Sequence, residues 1–236
     1  MKKLFYTSIY RLLRLMFLCY VIQAAAPKNT TPFAIFSMAN AQSELQPQKS
    51  NTIVFLGDSL TAGFGLAQAE AFPAKIDEII KKQKFAKQWH VINAGVSGDT
   101  SAGGLARLNW IYKSKPQVLF ICLGANDGLR GLKISATEKN LDAILMRVQQ
   151  EKTQVVFAGM ELPRNYGKEY EKEFLEIFPR LAKKYKVTFM PFLLQGMAMN
   201  ADLTLPDRVH PNAQGAAVIA NQVWAVLAPV LRRFEN

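Results

Sequence analysis

Ser59, in the run Gly57-Asp58-Ser59-Leu60, is the first residue of the chain that is placed to do chemistry. A serine hydroxyl is a weak nucleophile until a neighbouring base takes its proton. The chain has two histidines, His90 and His210, so the choice of base is narrow. His210 stands in Asp207-Arg208-Val209-His210-Pro211. A carboxylate three residues before an imidazole can hydrogen-bond to it when the chain turns. It then holds one tautomer and stabilises the imidazolium that proton transfer creates. Pro211 disfavours helical geometry at His210 and keeps it on a loop. Two further blocks supply donors. Gly95-Val96-Ser97-Gly98-Asp99-Thr100 offers the Gly98 N–H, which glycine lets approach a reacting group closely. Gly124-Ala125-Asn126-Asp127-Gly128 offers the Asn126 amide. Each block read alone is a turn or a helix cap. Together they hold a nucleophile, a base, an orienting acid and donors for an oxyanion, the parts of an acyl-transfer site. Asp58 and Asp127 read as carboxylates that fix these loops.

Strands alternating with helices must bring the blocks together. Short apolar runs at 53–56, 90–94, 118–123, 155–159 and 187–190 predict five strands, none with period-two polarity. Helical spacing predicts helices over 70–82, 101–112, 137–152 and 169–185, and a last one opening at Pro211 and running through Leu227. Strands buried on both faces and joined by helices predict a parallel sheet in a three-layer α/β/α sandwich. Ligands of such sheets sit beyond the carboxyl ends of the strands. The Ser59, Gly98 and Asn126 blocks each follow a strand directly, and the Asp207/His210 block follows the fifth after a loop. His90 opens the second strand, at the opposite edge, which leaves His210 as the base.

Composition sets the outer limits. The chain has 236 residues, half of them apolar and 20% charged, enough for one well-buried domain and too apolar for wholesale disorder. Net charge is +11, but five cations and no acid fall in residues 1–41, which leaves 24 cations against 18 acids. No run of five Lys/Arg appears, so the excess reads as a solvated surface and predicts no nucleic-acid partner. Cys19 and Cys122 suggest neither a metal site nor a disulfide, and Cys122, inside VLFICL, reads as a buried hydrophobe. Lys2, Lys3, Arg11 and Arg14 precede an apolar stretch that ends in Ala24-Ala25-Ala26, and Ala39-Asn40-Ala41 repeats the small-residue pattern. This describes a secretory signal over 1–41, cleaved after Ala26 or Ala41, with a retained anchor as the alternative. Residues 42–51 read as a polar linker, and 52–236 as the folded domain.

The blocks GDSL (Ser59), VSGDTS (Gly98), GAND (Asn126) and DRVHPN (His210) resemble the SGNH (GDSL) hydrolase family, in order and over about residues 52–230. SGDTSAGGLARL, NDGLRG and ELPRNYGKEY are similar to its periplasmic acyl-CoA thioesterase/lysophospholipase/arylesterase branch. The resemblance implies a flavodoxin-like α/β fold and a Ser59–Asp207–His210 triad. It also implies an oxyanion hole from the Ser59 and Gly98 N–H groups and the Asn126 amide, with no metal or organic cofactor. Two residues depart from the branch: Ala125 and Arg208 each stand where it has glycine. The nucleophile elbow G-x-S-x-G of the α/β-hydrolases does not fit, since residue 61 is Thr.

The expected substrate is an acyl ester or thioester, met in the periplasm or outside the cell, with membrane-surface contact through lipid substrates. Leu129, Arg130, Tyr166, Phe192 and Arg208 are expected to touch it. Phe64, Leu66, Leu132, Leu193, Leu194, Met197 and Met199 are expected to lend the crevice apolar surface. A phosphate- or cofactor-binding flavodoxin-like domain, a carbohydrate acetylesterase and an interaction module with a vestigial site remain as alternatives. The sequence gives no oligomeric state.

Overall fold

The computed structural model describes residues 51–86 and 88–235. The expected signal over 1–41, Cys19 and most of the linker lie outside the described residues. Asn51, assigned above to that linker, instead opens β1 (Asn51–Gly57) and pairs with Trp89. The other strands are β2 (Trp89–Gly95), β3 (Val118–Cys122), β4 (Gln154–Ala158) and β5 (Thr188–Met190). They form one sheet in the order β2-β1-β3-β4-β5. Every pairing is parallel.

The apolar runs become strands because both of their faces are covered. Ile53, Val54, Phe55 and Leu56 in β1 and all of β3 are buried. Phe55, Phe72 and Phe120 form one ring cluster, and Phe157, Phe174 and Phe178 another. Truncating such a ring to alanine costs about 3–5 kcal/mol. Cys122 is buried among them, and burial pushes its thiol well up. Gly57 is level with both Gly95 and Cys122, so β1, β2 and β3 end together, and their following loops meet.

The helices are α1 (Ser59–Ala62), α2 (Phe72–Lys82), α3 (Ser101–Ala106), α4 (Leu108–Ile111), α5 (Ala125–Leu129), α6 (Ile134–Gln150), α7 (Lys168–Tyr185) and α8 (Ala213–Arg232). α2 packs with α8 on one face of the sheet, and α3, α6 and α7 pack together on the other. α8 is long and apolar enough to cross a membrane, yet Ile219, Val223 and Leu227 are buried in the core.

Three helices differ from expectation: α6 opens at Ile134, three residues before the expected Thr137. The segment 101–112 is not one helix but α3 and α4, broken at Arg107 with φ −96° and ψ 6°. The last helix opens at Ala213, not Pro211. Asn212 caps it by accepting from the Gln214 and Gly215 N–H groups at 3.0 Å. A capping amide satisfies donors that the helix itself cannot. Pro211 is left extended, bridged to Thr204.

Candidate active site

Ser59 is the first residue of α1, reached from β1 through Asp58. Asp58 is buried, and its Oδ1 accepts the Leu60 N–H at 3.0 Å, capping α1. This one turn lies directly on the strand ends. A Cβ at Gly95 would collide with the Ala62 backbone, and one at Gly57 with Thr61, so the close approach requires glycine at both. Burial pushes the Asp58 carboxyl up to about 6, against the Leu60 hydrogen bond and the nearby His210. Asp58 is thus a loop-fixing carboxylate, as its place in the block suggests.

The Ser59 hydroxyl meets His210 across the chain: Oγ lies 2.9 Å from Nε2. On the other side of the ring, Nδ1 lies 2.6 Å from Asp207 Oδ2. Asp207 Oδ1 accepts the Val209 and His210 N–H groups at 2.9 and 3.0 Å. One carboxylate therefore folds the loop and orients the ring. Partial burial pushes the Asp207 carboxyl up, but these two N–H groups, the imidazole hydrogen bond and its charge outweigh it and bring it down to about 2. The turn places Arg208 at φ +60°, in the left-handed region that favours glycine. Phe64 covers the imidazole, with ring centroids 4.6 Å apart.

Further donors lie on the neighbouring loops. The Ser59 N–H opens a helix and has no intrahelical partner. Gly98 takes φ +79°, and its N–H makes no hydrogen bond among the described residues. The Gly98 carbonyl accepts from Arg130 Nη2 at 2.9 Å. Asn126 lies in α5, and its Nδ2 donates to the Asp99 carbonyl at 3.0 Å. Nδ2 also lies 3.5 Å from Asp58 Oδ2, long for a hydrogen bond, so the proton on that side is only weakly held. Asp127 is buried and holds this region together. It accepts from the Ser101 N–H at 2.7 Å, from the Ser101 hydroxyl and from Thr137 at 3.2 Å.

Ser59, His210, Asp207, Gly98 and Asn126 thus lie together at the carboxyl edge, where the blocks were expected to meet. His90 is exposed at the other end of β2. Of the side chains expected to touch substrate, Leu129 and Arg130 are exposed beside the Gly98 loop, and Tyr166 donates to the Leu129 carbonyl at 3.1 Å. Arg208 is exposed next to the triad. Phe192 is half-buried and shares no hydrogen bond or ring contact with the triad among the described residues. Leu193 and Met197 do not line the crevice: both are fully buried in the core. Phe64 and Asp127 were named in the sequence, but the Phe64 contact with His210, the partners Ser101 and Thr137 of Asp127 and the Asn212 cap were not. Only the cap left a local trace, an asparagine just before an apolar helix.

Comparison with known proteins gives the family. Residues 55–218 match the GDSL-like Lipase/Acylhydrolase family. The chain is 35% identical over 183 residues to thioesterase 1/protease 1/lysophospholipase L1 of Escherichia coli, covering 77% of this chain and 86% of that protein. It is 33% identical over 187 residues to esterase TesA of Pseudomonas aeruginosa, covering 79% and 92%. Among solved structures, psychrotrophic esterase EstA from Pseudoalteromonas sp., inhibited by monoethylphosphonate, superposes with a TM-score of 0.72 at 32% identity. The match covers 78% of this chain and all of that one.

Proposed function

The chain belongs to the GDSL-like lipase/acylhydrolase family and is a carboxylic ester hydrolase, and from this we propose that Ser59, His210 and Asp207 carry the reaction through an acyl-enzyme. The observation that supports the assignment is the unbroken line Ser59 Oγ–His210 Nε2 at 2.9 Å and His210 Nδ1–Asp207 Oδ2 at 2.6 Å. Ser59 Oγ attacks the acyl carbonyl while His210 Nε2 takes its proton. The oxyanion that forms is held by the Ser59 and Gly98 N–H groups and the Asn126 amide, whose long contact with Asp58 gives way. Such donors act in the transition state, and losing one costs roughly 10²–10³-fold in rate. Imidazolium His210, steadied by Asp207, protonates the leaving alcohol or thiol. Water, activated by the same ring, then releases the acid.

The substrate is an acyl ester or thioester of the aryl ester, acyl-CoA or lysophospholipid type; the names of its relatives include thioesterase, lysophospholipase and arylesterase. Exposed Phe64 and Leu129 at the mouth favour an apolar acyl chain. Each buried methylene contributes about 0.8 kcal/mol, near fourfold in kcat/KM. A lipid substrate would bring this mouth to a membrane surface. Residues 1–41 fit a secretory signal, which puts the enzyme in the periplasm or outside the cell. The N-terminus of the mature protein, Pro27 or Gln42, tests that.

An alkylphosphonate tests the site. It should label Ser59 stoichiometrically, and Ser59→Ala should abolish both labelling and hydrolysis while the fold persists. Activity above a few per cent in that variant would sink the assignment. A series of aryl esters from acetyl to hexanoyl tests the crevice, which is short or polar if acetyl is cleaved best.

A further inference from the structure

Arg107 sits where α3 ends and α4 begins. Three nitrogens of its side chain each reach a different acceptor. Nε donates to Asp99 Oδ2 at 2.7 Å, Nη1 to the Ala94 carbonyl at 2.7 Å, and Nη2 to the Gly57 carbonyl at 2.9 Å. Gly57 ends β1 two residues before Ser59. Ala94 lies one residue from the end of β2, at the root of the Gly98 loop. Asp99 follows Gly98, and its own carbonyl receives the Asn126 amide at 3.0 Å. One guanidinium thus grips the bases of both loops and, through Asp99, the residue that offers the third donor. The ion pair is largely shielded, with 19% of the Arg107 and 10% of the Asp99 side chain exposed. Asp99 lies against the Cα of Gly103, where a Cβ would collide with its carboxylate.

We propose that Arg107 is a positioning residue for the oxyanion site. It fixes the Gly98–Asp99 segment relative to Ser59, so that the Ser59 N–H, the Gly98 N–H and the Asn126 amide converge on one point. The inference rests on the esterase reading of Ser59. An oxyanion site works because its donors are in place before charge develops, and small displacements forfeit much of the gain. Two of the acceptors are backbone carbonyls on neighbouring strands, so a planar fork is needed to span them. Lysine keeps the charge but not the fork. Arg107 touches neither Ser59 Oγ nor His210, so it leaves proton transfer alone.

The test uses Arg107→Lys and Asp99→Asn in the full chain, with circular dichroism and Tm recorded for each. Arg107→Lys should lower kcat about 10–100-fold with KM within about twofold, and slow phosphonylation of Ser59 in step. In an Asn126→Ala background the same change should cost less than in the unmodified protein, because the Asn126 share of the donor geometry is already gone while the Ser59 and Gly98 donors still depend on Arg107. If Arg107→Lys does not fold, Asp99→Asn, which leaves both carbonyl bonds in place, should show a smaller loss with the same kcat-over-KM split. A lower Tm with unchanged kcat would make Arg107 merely structural and overturn the proposal. An undiminished loss in the Asn126→Ala background would overturn it too. Failure of the esterase reading shows separately, as an unmodified chain whose Ser59 resists the phosphonate.

Discussion

The two loops that meet at Ser59 are built in opposite ways. The loop at Asp58–Ala62 lies on the ends of β1 and β2, with Asp58, Leu60 and Thr61 buried. The loop at Leu205–His210 is exposed from Pro206 to Val209 and is held by one aspartate and a short bridge. Each contains a carboxylate, and the surroundings push the two apart. Burial raises Asp58 to about 6. Asp207, though burial pushes it up, is brought down to about 2 by the N–H groups and the ring it accepts from. A carboxylate that must stay charged to orient a histidine is kept near water and given donors. One that only shapes a turn can be buried where charge is disfavoured. Depth in the fold, more than residue type, therefore separates the two roles.

Replacing the exposed partner should have the largest effect. Asp207→Asn retains an oxygen for the turn but presents the wrong group to His210 Nδ1. We expect kcat to fall roughly 10³–10⁴-fold with little change in Tm. A loss below tenfold would show that the turn alone orients the ring. Asn126→Ala comes next, with kcat lowered roughly 10²–10³-fold and KM nearly constant. A pure KM effect would make Asn126 a substrate-binding residue.

The comparison also predicts opposite pH slopes in stability. Asp58 is raised from an ordinary 3.8 to about 6, so its contribution is lost as pH climbs through that window, where the folded state alone still holds the proton. Asp207 is lowered from 3.8 to about 2, so its contribution is present above 3.8 and lost as pH falls toward 2. Asp58→Asn removes the first slope only. Its Tm relative to the unmodified protein should rise between pH 4 and pH 7, by an amount on the order of 2 kcal/mol in stability. A Tm difference that does not change with pH would mean that Asp58 does not titrate there. Arg208→Gly should act least. It relieves a left-handed residue and should raise stability by about 1 kcal/mol or less, set against the greater freedom of the unfolded chain. A falling Tm would mean that the Arg208 side chain stabilises the loop by more than its backbone strain costs.

The sheet was legible in the sequence because its central strands are unbroken apolar runs, such as Ile53–Leu56 and Val118–Cys122, closed by glycine or a loop. The positions of Ser59, Gly98 and Asn126 followed from the rule for parallel sheets. Contacts between distant segments were not legible. Phe64 over His210 and Ser101 against Asp127 join residues whose local context predicts nothing about each other. Periodicity gives the direction in which a side chain points and not how deep it lies. Leu193 and Met197 therefore read like Leu129 but are buried, whereas Leu129 is exposed. The break at Arg107 escaped for a related reason: the three acceptors that hold its side chain come from elsewhere in the chain.

Ser59 and His210 are 151 residues apart, and their contact needs the last loop, which only α8 follows among the described elements. On the assignment proposed above, a chain made from its N-terminus acquires its nucleophile and all three oxyanion donors early, and its base almost last. A nascent or truncated chain that ends before Asp207 carries a serine with no group to activate it. Hydrolysis therefore reports that synthesis and folding have run to completion, and an unfinished copy is harmless to the acyl esters around it.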